Sequence, residues 1–132
     1  MPKYIHSKLS AQEGLVMSEL SERIGTAAGN AFKSGCNCGE SILQPFLTEG
    51  GLKIDDNTMR MVTAFGGGMG HARAVCGALV GSVMVISYFV GRTSPQEKPL
   101  PEVYPYSKEY HDLFVKEFGS SEGKDLMPYE FN

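Results

Sequence analysis

Net charge, cysteine and strand-like alternation are all scarce in this chain of 132 residues, and each shortage excludes something. Twelve Lys and Arg against fifteen Asp and Glu leave a net charge of −3, which gives no footprint for nucleic acid or an acidic membrane surface. Three cysteines are few and odd in number, so a secreted disulfide scaffold is not expected. The opening MPKYIHSKLS lacks an apolar core and a small-residue cleavage site. No signal peptide is read there, and the cytoplasm is the expected location. No segment alternates convincingly between apolar and polar residues, and no internal repeat is visible.

One stretch lacks charge altogether. From Ala74 to Gly91 no Asp, Glu, Lys or Arg occurs, and the glycine-dense Gly66-Gly67-Gly68-Met69-Gly70 leads into it. Cys76, Leu79, Val80, Val83, Ile86 and Val90 recur at three- and four-residue steps, which predicts a central helix over about 73–90. Gly77 and Gly81 share one face of it, so another backbone can approach closely there. The run reaches the lower edge of a membrane span. Its Gly77, Gly81, Ser82, Ser87 and Tyr88, and the amphipathic segments around it, favour burial in a protein core.

Those segments read as helices. Met17, Leu20, Ile24, Ala27, Ala31 and Phe32 form the inner face of the first, with Ser10 and Glu13 as its capping box and Ser34-Gly35 as its stop. A second runs over about 38–47, bent or shortened by Pro45, and a third over about 58–65 behind the caps Asp55-Asp56-Asn57. Residues 92–105 read as a loop and about 106–118 as the last helix. The class is all-α, one domain over 1–132: a small bundle of about five helices, with an irregular arm (1–9) and a tail (120–132) of low expected order.

Chemistry centres on the cysteines. Cys36 and Cys38 lie between glycines at the start of the second helix, and Cys76 lies within the first turn of the central one. Free amides and the helix dipole at such places favour a thiolate. The alternative is that each cysteine is a small buried apolar side chain. Cys-x-Cys is neither a thioredoxin-like pair nor a zinc-knuckle spacing. His71 could join Cys36, Cys38 and Cys76 in a mixed metal site only from a loop before the helix, and His6 and His111 are less favoured. Gly66, Gly67, Gly68 and Gly70 are the candidate cofactor-binding segment, because loop amides before a helix bind anions. No strand is expected before it and no Lys-Ser/Thr follows as in a P-loop, so close turns and helix contacts are the favoured explanation of those glycines.

Three segments together resemble one family. Asn37-Cys38-Gly39-Glu40-Ser41-Ile42-Leu43, Phe65-Gly66-Gly67-Gly68-Met69-Gly70 and Val75-Cys76-Gly77-Ala78-Leu79-Val80-Gly81 are similar to the signature of the C-GCAxxG-C-C family of bacteria and archaea. The resemblance covers roughly 17–126. It implies a small helical protein whose redox role is assigned from its cysteines, and it raises split-Soret type c cytochromes and iron–sulfur sites among relatives. By position, Cys38 and Cys76 match the family's first two cysteines. Gly123 stands where the third is expected, the fourth has no counterpart before Asn132, and Cys36 is extra to the pattern.

The expected function is that of a redox-active thiol protein using Cys38 and Cys76, with Cys36 as resolving thiol and an unidentified redox partner. One rival is a metal or iron–sulfur module whose ligands are pooled across a homodimer. The other is a non-catalytic helical interaction domain with core cysteines. A homodimer is expected from the Met and Phe content and the incomplete cysteine set.

Overall fold

The computed structural model describes residues 10–98 and 101–126. The expected arm over 1–9, with His6, and residues 127–132 of the expected tail lie outside them. The described chain is all-α: α1 Ala11–Lys33, α2 Cys38–Thr48, α3 Asp56–Thr63, α4 Gly77–Val90, α5 Val103–Phe118 and a single turn, α6 Gly123–Leu126. The five longer helices match the five expected, with shifted ends.

The N-terminal ends are set by local chemistry. Ser10 accepts a hydrogen bond from the Glu13 amide, and the Glu13 carboxylate accepts one from the Ser10 amide, both at 3.1 Å. Asp55 caps α3 through the Thr58 amide at 2.8 Å, and that hydrogen bond holds its carboxyl below the usual range. Pro45 does not shorten α2, which continues to Thr48 with Pro45 fully buried inside it. The last helix starts at Val103, earlier than its prolines suggest. Pro105 falls in its first turn, where the missing N–H has no intrahelical partner to lose.

The central helix differs most from expectation. It begins at Gly77, four residues later than the apolar run suggests, because Ala74 to Cys76 are drawn out against the segment 121–123. Nor is it buried all round. Gly77, Leu79, Gly81 and Val85 are buried, while Ser87, Tyr88 and Phe89 are exposed. One side of α4 packs on α2, another on α5, and the rest stays open among the described residues. The core cluster is Leu43, Leu52, Val62 and Val85, with Phe46, Met59, Phe65 and Met84 packed around it.

Helix α1 is fastened to α2, yet none of its 23 residues is buried, and Phe32, expected on its inner face, is half exposed. A Cβ at Gly25 would meet nothing within 4 Å. Gly25→Ala is therefore expected to stabilise the protein by about 0.8–1.0 kcal/mol, the propensity difference in a helix interior. Urea unfolding midpoints check this, and no rise would mean that Gly25 has a role beyond helix formation.

Candidate functional site

The site is built where α2 and α4 begin. The chain leaves α1 through Gly35, whose φ of +116° is one that L side chains rarely adopt. Cys36 follows. Its amide donates to the Ala31 carbonyl at 3.0 Å, and its carbonyl accepts a hydrogen bond from the buried Ser41 hydroxyl at 3.4 Å. Asn37 then caps α2, and Cys38 is the first residue of that helix.

Asn37 and Glu40 form a second capping box, which a reading centred on the cysteines overlooks although the Asn-x-x-Glu spacing signals it. The Asn37 Oδ1 accepts from the Glu40 amide at 3.0 Å, and Glu40 Oε1 accepts from the Asn37 amide at 2.9 Å. The same two side chains reach the end of α3. Asn37 Nδ2 donates to the Thr63 carbonyl at 2.7 Å, and the Thr63 hydroxyl donates to Glu40 Oε2 at 3.1 Å. Cys38 therefore sits on a helix start anchored on both sides.

Glycines let α4 come up to it. A Cβ at Gly77 would lie 2.7 Å from the Phe65 carbonyl oxygen and 3.2 Å from both the Cys38 Cβ and the Gly39 amide nitrogen. A Cβ at Gly39 would lie 2.7 Å from Val62 Cγ2, and one at Gly81 would lie 3.0 Å from Ile42 Cβ. The close crossing expected from Gly77 and Gly81 is present, and its partner is α2. It places the residue after Cys76 directly against Cys38.

Cys76 is the N-cap of α4, not a residue of its first turn, with φ −64°, ψ 130° and no capping hydrogen bond from its side chain. Its amide donates to the Ser121 carbonyl at 2.8 Å. Val75 and Glu122 form an isolated antiparallel bridge, and the Gly123 amide donates to the Ala74 carbonyl at 2.6 Å. The part of the expected tail over 120–126 is thus folded onto the approach to Cys76. The sequence gives no periodic signal for it, since the pairing joins residues about fifty positions apart. Glu122 also holds Lys124 above the usual ammonium range through a 3.1 Å ion pair.

The glycine segment before Cys76 is a left-handed turn. Gly67, Gly68, Met69, Gly70 and His71 all have φ between +60° and +72°, and Arg73 has +58°. Glycine takes this conformation freely, while Met69, His71 and Arg73 do so against the usual preference of L residues. At Gly68 space is also short, since a Cβ would lie 2.8 Å from the Ala74 amide nitrogen. The amides of Met69, Gly70, His71, Arg73 and Ala74 all donate to carbonyls between Ala64 and Gly68, so they are spent within the loop. His71 is exposed in this loop, its ring lying over Gly67. His111 lies elsewhere, on α5, with Nδ1 3.1 Å from Asp112 Oδ1.

All three cysteines are free and half-buried. Among the described residues, no group of three or more His, Cys, Asp or Glu is placed to hold a metal ion. No helix among them is long and apolar enough to cross a membrane.

No curated protein and no solved structure matches the chain. One family model does, over residues 36–131, from the first cysteine through both capped helix starts and the segment folded onto Cys76. Its description is Putative redox-active protein (C_GCAxxG_C_C), and with most of its length matched the chain belongs to that family.

Proposed function

We propose that this is a thiol redox protein in which Cys38 and Cys76 are the reacting pair and Cys36 is a further resolving thiol. The contact of Gly77 with Cys38 carries this reading. It sets two helix starts side by side, one opening with a cysteine and the other capped by one. The chemistry that fits is exchange with a disulfide substrate. One thiolate attacks a substrate sulfur, forming a mixed disulfide and releasing the other sulfur as a thiol. A second cysteine of the pair then displaces the remaining substrate sulfur, which also leaves as a thiol. Two electrons pass to the substrate, the chain keeps an internal disulfide, and a dithiol partner returns it to the reduced state.

The family resemblance also raises an iron–sulfur cluster or another metal centre. Such clusters are ordinarily held by four thiolates. This chain has three cysteines and no assembled set of three ligands among its described residues, so one chain's donors do not fit. A centre would need thiolates from two chains. The position matched to the family's third cysteine supports a common site, since Gly123 is buried and bonded beside Cys76. With glycine at that position, the thiols of Cys36, Cys38 and Cys76 are the site's chemical content.

The test is thiol titration and metal analysis on protein purified without oxygen, followed by oxidation and peptide mapping under non-reducing conditions. Fast thiols, no metal and a 38–76 or 36–76 link are the expected result. Metal in a ratio of one centre to two chains would replace this reading with the pooled centre. Slow thiols without metal would leave only a scaffold.

A further inference from the structure

Among the described residues the open side of α4 has no occupant, and we infer that a second copy of this chain docks there. A groove of about 950 Å³ runs between α3, α4 and α5. Met61 of α3, Val80, Val83 and Met84 of α4 and His111 of α5 are among its lining residues. Among the described residues no acidic side chain lines it. Of its lining side chains that can ionise, Arg92 bonds the Pro95 and Glu97 carbonyls, His111 pairs with Asp112, and the Tyr88 hydroxyl accepts from the Lys53 amide. The matching surface is therefore neutral and apolar, and it has to extend along a helix.

The same chain supplies that surface. Helix α4 carries no charged residue from Gly77 to Val90; its exposed Ser87 and Tyr88 line the groove, and the exposed Phe89 follows them in the chain. A two-fold axis across α4 would set this neutral face against itself, the self-complementary arrangement of an isologous dimer. The balance of burial points the same way. Among the described residues five apolar side chains are buried, while ten large ones are exposed, Met61 at 70 % and Phe89 at 62 %. Met61 and Tyr88 of these line the groove, the kind of apolar surface that an obligate dimer interface covers. One edge of the groove is Val75, next to Cys76, so the second copy would reach the thiol site.

Light scattering on the full-length chain tests this. The expected mass is about twice the 14.3 kDa of one chain at micromolar concentration. Met61→Lys and Ser87→Arg, both at exposed positions, should each raise the dimer dissociation constant by about 100-fold. Val16→Lys, on the exposed part of α1, should leave it unchanged. A photo-cross-linking residue at position 61 should give a covalent dimer of the purified protein, a readout that does not depend on the charged variants folding. A monomeric wild type would overturn the inference. So would a dimer broken by Val16→Lys but not by the other two, or no cross-linked dimer from position 61. The thiol reading stands or falls separately, since oxidation mapping within one chain does not require the dimer.

Discussion

Gly77→Ala should lower the stability of the protein by about 2–3 kcal/mol, with Gly77→Leu costing more. The new Cβ would sit 2.7 Å from the Phe65 carbonyl oxygen, a backbone atom that moves only with the chain around it. It would also stand 3.2 Å from the Cys38 Cβ and from the Gly39 amide nitrogen, so α2 has no room to retreat without disturbing its own cap. The helix propensity that alanine gains over glycine, at most about 1 kcal/mol, does not offset this. Gly81→Ala meets the first atom of a side chain, Ile42 Cβ at 3.0 Å, and should cost less than Gly77→Ala. Denaturant midpoints for the two variants check both the sign and the order. Equal, small effects would mean that the crossing of α2 and α4 is looser than these distances state. Set beside Gly25→Ala, which is expected to stabilise, the pair shows that the same exchange changes sign with what faces the glycine.

The ends of helices that depend on neighbours in sequence were legible. Ser10 with Glu13, Asp55 with Thr58 and the stop at Gly35 are all interactions within a few residues, and the spacing of side chains states them directly. The small-residue face of Gly77 and Gly81 was legible for a related reason: glycine repeated on one helical face leaves room for a backbone, whichever backbone arrives. What spacing cannot state is which partner that is. The partner is α2, brought in by the Asn37–Glu40–Thr63 hydrogen bonds between two helices.

The start of α4 was misplaced for the same reason. Arg73 to Cys76 read as helix by composition, but Ser121, Glu122 and Gly123 hold Ala74, Val75 and Cys76 in extended form. A long-range pairing overrode local preference. It also moved Cys76 from inside a helix to its cap. The charge-free run misled in a second way. Absence of charge predicts burial all round, yet among the described residues α4 keeps an apolar side open.

Cys76→Ser should abolish the oxidised link entirely while leaving the fold intact, and this separation makes it the sharpest test of the thiol proposal. Serine differs from cysteine by one atom, and the backbone at 76 is fixed by the Cys76 N–H bond to the Ser121 carbonyl, which the exchange does not touch. Position 76 is also an N-cap whose present side chain makes no capping hydrogen bond. Serine is among the preferred N-cap residues, and a side-chain cap is worth about 0.5–2 kcal/mol. The variant should therefore unfold at an equal or higher urea concentration than the wild type, and loss of the link could not be put down to damage. Cys36→Ser should retain a 38–76 link, because Cys38 is the cysteine that Gly77 touches. Non-reducing peptide maps of the oxidised single variants read this directly. A link that survives Cys76→Ser would have to involve only Cys36 and Cys38, within one chain or between two. Cys76 would then be a packing residue at the start of α4, and the pairing of the two helix starts would have no redox role.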